Sequence, residues 1–470
     1  SAGSGRGRTR IPRAINAVTA AMADRRTSTQ PSLDADPSCD RASPEPMPRI
    51  LHQHASVARS VDPDVTREAR LRMPLFASGS NADLATLYRC ARLMSYRSRE
   101  RSPAPSEERP IMTQEIYRRL AQRLDALPNG FPATESGVEL RLLAKLFEPE
   151  EAALAAAMRL TREPSSVIAE RTGLEPKLAR RTLKAMVRKG LITVRRGDGE
   201  LEFGLLPFVV GFYEEQLPRM DEELAGLMEA YLQETRGGGI TDELPALQRV
   251  IPVEESIAFE LEIFPHERAS QLLEKAKSWG VRDCICRVQQ RLIGRGCDHP
   301  VENCLVFAPV EGAFDHSDVT RAISKEEALK ILAEAEASGL VHSTGNYVDP
   351  HYYICNCCTC CCGILRGISE FGIPTAVAKA DFQATVDVET CTGCGACLDR
   401  CQFGALSLTD DICTVDEARC VGCGLCATVC PVEALHLQRR PAGEVPPPPE
   451  SIKDWGIERL KRRSQASGVA

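Results

Sequence analysis

Two cysteine runs constrain this 470-residue chain more than any other feature: Cys391-Thr-Gly-Cys394-Gly-Ala-Cys397-Leu-Asp-Arg-Cys401 and Cys420-Val-Gly-Cys423-Gly-Leu-Cys426-Ala-Thr-Val-Cys430-Pro431. Each has the C-x2-C-x2-C-x3-C spacing that wraps a short loop around a cubane iron–sulfur cluster. A lone CxxC would carry little weight, but the second run repeats the first at a constant offset of 29 positions. The repeat continues past the thiols into Gly393/Gly422, Gly395/Gly424, Ala405/Ala434, Leu406/Leu435 and Leu408/Leu437. A duplicated, metal-held unit and single-electron chemistry are expected here. Pro431 follows the last thiol as the pattern requires, whereas Gln402 stands at the corresponding place in the first run.

The chain holds 21 Cys in all, which in an oxidising space would suggest disulfides and in a reduced one suggests metal. The cluster spacing favours a reducing, anaerobic cytoplasm. No apolar run approaches the ~18–20 residues of a membrane helix, and the longest, around 205–212, is interrupted by Pro207. No membrane insertion is expected. The length suits about three domains.

Residues 1–111 differ from the rest: 18 Arg and no Lys against 12 acidic residues, while 112–470 carry 40 basic and 53 acidic ones. An organellar leader and a disordered basic tail fit such a stretch. A third reading is that it is not native, with translation starting at Met112. Glu107-Glu108 would be encoded by a ribosome-binding-like purine run, and Arg109 to Ile111 supply the spacer.

From Met112 the pattern is regular. Helices are expected at 113–126, 136–147 and about 150–160 from their apolar spacing. Pro164 to Gly190 reads as helix, turn at Gly173, and second helix with a glycine stop. Leu191–Val194 and Leu201–Phe203 flank Arg195-Arg-Gly-Asp-Gly199, a hairpin with an Asp-Gly turn. Helix–turn–helix plus hairpin resembles the winged-helix module of bacterial regulators. Lys177, Arg180, Arg181, Lys184, Arg188 and Lys189 on the second helix, with Arg195 and Arg196, would meet phosphates if DNA is a partner. The alternative is a solvated basic face on a protein-docking unit. Helices at Leu206–Glu215 and Met220–Glu234 are expected to follow, and Gly237-Gly-Gly239 to form a flexible boundary.

Ten more cysteines lie between that boundary and the repeat: Cys284, Cys286, Cys297 and Cys304, then Cys355, Cys357, Cys358, Cys360, Cys361 and Cys362. Thiolates this dense repel and oxidise unless a metal withdraws charge. One or more further iron–sulfur clusters, or structural Zn in a four-thiolate site, are the candidate occupants; disulfides are disfavoured. Cys284, Cys286, Cys297 and Cys304 offer one complete set, and Cys355, Cys358 and Cys361 the core of another. Arg287 and Arg366 are candidates to offset cluster charge or to form surface ion pairs. Ser324-Lys-Glu-Glu327 is a capping box opening a helix to about Ser338, and a helix is expected over Cys360–Phe371.

The winged-helix pattern, Leu205-Leu-Pro-Phe-Val-Val-Gly-Phe-Tyr213, Cys284-Ile-Cys-Arg287, the Cys355–Cys362 group and the terminal repeat together resemble a family of bacterial 4Fe-4S binding proteins over Met112 to about Gln438. The repeat itself resembles two-cluster ferredoxins. That resemblance implies two [4Fe-4S] clusters, one held by Cys391, Cys394, Cys397 and Cys430, the other by Cys420, Cys423, Cys426 and Cys401, each run lending its fourth thiol to the other cluster. Cys413 is expected to be a buried spare thiol. The expected fold class is α+β: a winged-helix-like domain (112–236), a cysteine-rich α/β region (240–380), a ferredoxin domain (381–440), and a Pro-rich linker with a short basic tail (441–470). That tail is expected to fray or to dock a partner. The expected function is electron relay as an accessory of a larger oxidoreductase, with redox proteins as partners. The alternatives are a redox-responsive regulator, or an enzyme reducing a substrate or disulfide at the upstream cysteines.

Overall fold

The first described helix, α1 (Glu108–Asp125), starts four residues before Met112, so the expected translation start falls inside it. The structure, a computed structural model, describes residues 108–466 apart from 198 and 258–262; the calls on 1–107 lie outside the described residues. Helices α2 (Val138–Leu146) and α3 (Pro149–Ala156) pack on α1. Glu148 and Glu151 form a reciprocal cap at the start of α3.

Strand β1 (Glu163–Pro164) leads into α4 (Ser165–Thr172), which stops at Gly173 with φ 64°. Helix α5 (Pro176–Arg188) is capped by Glu175, whose carboxylate accepts from Leu178 N at 2.9 Å. It buries Ala179, Leu183, Met186 and Val187, one face at helical spacing. Strands β2 (Ile192–Arg196) and β3 (Leu201–Leu205) pair antiparallel, and β1 adds to β3, giving the order β1-β3-β2.

The expected helix at Leu206–Glu215 does not form as one. Phe208–Phe212 is a tight turn in which Val209 and Val210 are extended, followed by a 3-10 stretch, Glu214–Arg219, with Pro218 inside it. Pro207 and Pro218 lack the N–H a helix needs. Phe208 and Phe212 instead insert into the core beside Phe131 and Tyr231. Helix α6 (Glu222–Thr235) follows, capped by Asp221.

Gly237–Gly239 is not a loose joint. Gly237 and Gly239 take φ of 73° and 70° in a tight turn, and a Cβ on Gly130 would lie 2.1 Å from the Gly239 carbonyl oxygen. One hydrophobic core runs from Ile116 in α1 through Cys357 and Val421 to Trp455, so the expected domain boundary at this turn is no break in packing.

The middle region is a six-stranded antiparallel sheet in the order β4-β8-β9-β6-β5-β7. Its elements in chain order are β4 (Gln248–Ile251), α7 (Ala269–Glu274), β5 (Ser278–Asp283), α8 (Ile285–Leu292), β6 (Glu302–Ala308), β7 (Arg321–Ile323), α9 (Lys325–Ala337), β8 (Val341–Gly345) and β9 (Tyr353–Cys357). Ser324 caps α9 through Glu327 N at 3.2 Å, as its sequence requires. The helix expected from Cys360 is confined to α10 (Leu365–Ser369), because the cysteines before it lie in a turn.

In the C-terminal module β10 (Phe382–Val386) pairs with β13 (Leu435–Arg439), closing the repeat upon itself. Between them lie α11 (Ala396–Arg400) and the hairpin β11 (Leu406–Thr409) and β12 (Ile412–Val415). The expected fraying tail is a helix, α12 (Ile452–Ala466), docked on the chain's own body: Trp455 donates to Ala246 O at 2.9 Å and Arg459 is fully buried. No helix among the described residues is long and apolar enough to cross a membrane.

Candidate metal centres

The two cysteine runs fold into matching loops for a steric reason visible in the repeat. Gly393 (φ 67°) lies so near the Asp411 carbonyl oxygen that a Cβ would approach it to 2.2 Å; the equivalent Gly422 (φ 76°) lies as near the Phe382 oxygen, 2.1 Å. Only glycine fits either place. The repeated alanines have a role too: Ala405 N donates to Cys401 Sγ at 3.3 Å and Ala434 N to Cys430 Sγ at 3.2 Å. Such bonds stabilise thiolate and help set cluster potential.

Cys391, Cys394, Cys397 and Cys430 line one small cavity, so the last thiol of the second run joins three from the first. Cys423 and Cys426 have Cys420 and Cys401 as neighbours, the reciprocal arrangement. Burial pushes the Cys423 thiol up to about 12. A metal must therefore displace its proton to bind. Cys413, the expected spare thiol, is buried 3.6 Å from Cys397, and its backbone N–H donates to Cys391 Sγ at 3.4 Å.

The two loops differ in exposure. Cys394 is exposed, whereas Cys420 and Cys426 are buried. The second loop is tied to the body by Val253 N to Cys423 O at 3.0 Å, Ser256 Oγ to Gly424 O at 2.8 Å and Ala380 N to Val421 O at 3.0 Å. Beside Cys401, the side chain of Gln402 accepts from Thr359 N at 2.7 Å and donates to the Gly339 carbonyl. Thr359 lies between Cys358 and Cys360, so the glutamine that replaces the expected proline joins the module to the middle cysteines.

Those ten cysteines fall into two groups, divided differently from the sequence expectation. Cys297 does not complete a set with Cys284, Cys286 and Cys304; its sulfur lies with those of Cys358, Cys360 and Cys361, all four within 4.8 Å of one another. Cys297 Sγ is 3.9 Å from Cys358 Sγ and 3.5 Å from Cys361 Sγ. A tetrahedral ion with Zn–S bonds of about 2.3 Å sets its sulfurs ~3.8 Å apart, so the spacing fits a single ion. Among the described residues, no comparably tight set contains any of the eight repeat cysteines.

The other six lie in a ring, each thiol neighbouring the next in the order Cys284, Cys286, Cys362, Cys357, Cys355, Cys304 and back to Cys284. The sheet assembles it. Cys355 and Cys357 lie two apart on β9 and share a face; Cys304 is on β6 opposite Arg282 of β5; Cys284 follows β5 at the N-cap position of α8, whose first turn carries Cys286. The neighbouring thiols of Cys284 and Cys355 hold Cys304 down, while the Cys284 thiol and burial push Cys286 up to about 12. Six thiols exceed what one tetrahedral ion takes, so the ring suits a cluster of several metal atoms.

Arg287 lies between the two groups. It is fully buried and donates to Asn303 Oδ1 at 2.8 Å, Asn356 O at 2.8 Å and Pro300 O at 3.0 Å. Burial opposes its charge, but Cys284, Cys358 and Cys357 outweigh this and hold it protonated. Arg366 instead pairs with Glu229 and Glu370. Tyr213 and Glu214, from the turn after β3, flank Cys286; burial pushes the Glu214 carboxyl up to about 8. The sequence pattern flagged neither as a site residue, although Tyr213 closes the Leu205–Tyr213 motif and Glu214 follows it.

Residues 384–437 match the family described as a 4Fe-4S dicluster domain. A stretch of 28 residues, 6% of the chain, is 57% identical to a probable ferredoxin of Methanosarcina thermophila. The match spans about half, 48%, of that curated relative. No solved structure matches the chain. The protein thus carries a ferredoxin-like iron–sulfur module on a mixed helix-and-strand body.

Proposed function

We propose that this is an electron-transfer protein in which single electrons enter at the exposed cluster loop and pass inward to the middle cysteines. The first [4Fe-4S] cluster takes Cys391, Cys394, Cys397 and Cys430; the second takes Cys420, Cys423, Cys426 and Cys401. Cys297, Cys358, Cys360 and Cys361 hold one metal ion, and the six-thiol ring holds a further iron–sulfur cluster. The observation that carries this reading is the hydrogen-bonded junction of Cys401-Gln402 with Cys358-Thr359-Cys360, which ties the module to the upstream thiols. Exposed Asp399, Asp410 and Asp411 beside the outer loop suit a redox partner with a basic docking face. The larger oxidoreductase such a relay serves would sit at the opposite end of this path.

The test is iron, acid-labile sulfide and zinc per full chain, purified anaerobically. The expected result is about eight Fe for the module and at least about four more for the ring, with one Zn or Fe besides. Fewer than about eight Fe would overturn the relay.

A second reading rests on α4, α5 and the β2–β3 hairpin as a winged-helix-type module. Lys177, Arg180, Arg181 and Arg188 are exposed on α5, whereas Lys189 and Arg195 are committed to Glu151 and Glu202. A redox-responsive regulator would bind its promoter tightly, salt-sensitively and in one cluster oxidation state. Weak binding indifferent to that state would dismiss it.

A further inference from the structure

The six-thiol ring divides unequally. A [4Fe-4S] cubane takes four thiolates, so a ring of six leaves two over. Cys304 and Cys355, adjacent in the ring, lie in the wall of a chamber of about 370 Å³, and the other four thiols do not. Those four, Cys284, Cys286, Cys362 and Cys357, are consecutive in the ring order, and all but Cys286 are buried. The sheet fixes the pair at the chamber. Strands β6 and β9 run antiparallel with Leu305 opposite Ile354 and Val306 opposite Tyr353. One step further along that register Cys304 stands opposite Cys355, each within its strand. Directly opposed residues have Cα atoms about 4.5–5.5 Å apart, inside the ~4.4–6.8 Å that a disulfide spans. Opposed side chains share a face, and Val306 and Tyr353, two residues along on that face, are in the chamber wall too.

We infer that Cys304 and Cys355 are a redox-active dithiol–disulfide pair beside a cluster held by Cys284, Cys286, Cys357 and Cys362, and that the chamber admits a small apolar organic disulfide to them. The inference rests on the proposed cluster in the ring. The chamber volume lies in the range of small-molecule sites, and its wall is mainly apolar, with Leu206, Val210 and Leu217 in it. One thiolate of the pair attacks a substrate sulfur, forming a mixed disulfide and releasing the first thiol. The other thiol of the pair attacks that mixed disulfide, releasing the second thiol and leaving Cys304 and Cys355 joined. Two electrons and two protons then return the pair to the dithiol. The electrons come singly through the ferredoxin-like module from a low-potential carrier protein, which is oxidised; the protons come from solvent. The thiol product carries the electrons out to the larger oxidoreductase, so the path still leaves this chain.

The test uses full-length protein purified anaerobically, with diethyl disulfide as the probe and reduced methyl viologen as the one-electron donor. Two viologen radicals should be consumed for each disulfide cleaved. When reduced protein freed of viologen meets the probe, acid quenching, alkylation and peptide mapping should find Cys304 joined to Cys355. Cys304→Ser and Cys355→Ser should each abolish turnover yet keep the wild-type iron content, whereas Cys284→Ser should lose about four Fe. Insulin, whose disulfides belong to a protein too large for the chamber, should stay intact. Loss of ring iron from Cys304→Ser or Cys355→Ser would make those thiols ligands and overturn the inference. Turnover at the wild-type rate in both variants, absence of the cross-link, or reduction of insulin as fast as of the probe would overturn it too. Wild-type protein with iron at the ring but no cross-link removes the dithiol proposal and leaves the relay standing. Wild-type protein with no iron at the ring removes the cluster reading and the inference with it.

Discussion

Glu229 of α6 receives both guanidinium nitrogens of Arg366, at 2.7 and 2.8 Å, and the amide of Gln290 at 2.7 Å. Burial raises its pKa, but the bonds from Arg366, Gln233 and Gln290 outweigh that and hold it at about 2. Its folded pKa is depressed below the ordinary carboxylate value of 4.5, so its contribution is full above pH 4.5 and lost as pH falls towards 2. Glu229→Gln leaves buried Arg366 with Glu370 as its remaining carboxylate partner, and about 1–3 kcal/mol of stability should be lost at pH 7. Urea titration of wild type and variant checks this; the gap should narrow between pH 4.5 and 3. Gln402 offers a second test at this scale. Gln402→Pro restores the usual ferredoxin residue but removes the bonds to Thr359 and Gly339, at about 1–3 kcal/mol. The module's iron should be retained, while electron transfer from it to the middle centres, followed by rapid-freeze spectroscopy, should slow. Residues of this kind differ in how far the sequence exposes them. The cluster cysteines declare themselves because their spacing is covalent and local. Gln402 showed only as a departure from pattern. The grouping of Cys297 with Cys358, Cys360 and Cys361 was hidden, since a loop and a turn some sixty positions apart supply the four sulfurs.

Among elements, those set by local rules were legible. Helices α5 and α9 follow from apolar spacing, a carboxylate or serine cap and a stop, and the hairpin of β2 and β3 from its Asp-Gly turn. The turn at Phe208–Phe212 was not, because its apolar residues satisfy helical spacing while Pro207, Pro218 and the demand for aromatic packing against Phe131 override it. The docking of the terminal helix α12 on the chain's own body is not legible for a related reason: its basic residues look solvated until their acceptors are known. Arg459 donates to the carbonyls of Pro128, Glu243, Pro245 and Ile240, at 2.5–2.7 Å, and lies over the Trp455 ring. Burial lowers its pKa to about 10, so it remains charged at neutral pH. Arg459→Met keeps the bulk but strands four carbonyls, that of Ile240 buried and the other three partly so, and a loss of about 2–4 kcal/mol is expected. Limited trypsin digestion should then cut within α12, after Lys453, Lys461 or Arg462, at protease levels that leave the wild type intact. An unchanged digestion pattern would show that α12 is not held by this residue.

At the scale of the whole molecule, the sequence repeat is symmetric and the protein is not. The sequence presents two equivalent loops, yet one faces outward with Cys394 exposed and the other is bonded through its backbone to residues 253–256 and 380. Periodicity within a module carries no information on which half the rest of the chain will cover, so this asymmetry was not legible. It sets the proposed direction of electron flow, and it predicts unequal consequences for equivalent substitutions. Metal binding contributes folding free energy wherever its ligands are tied to the core. Loss of the inner cluster should therefore loosen the junction with β4, the Gln402 contact and the body behind them, while loss of the outer one should disturb little beyond its own loop. Cys423→Ser is expected to lower the urea midpoint by the equivalent of about 2 kcal/mol or more, and Cys394→Ser by a fraction of that, although each removes one cluster thiol. Cys394→Ser should nonetheless be the more damaging to electron uptake from an external donor, because the exposed loop is the entry point. Unfolding curves and donor-reduction rates on the two variants read both halves of the prediction. Equal destabilisation with equal loss of uptake would mean that the two loops are as interchangeable in the folded protein as they are in the sequence.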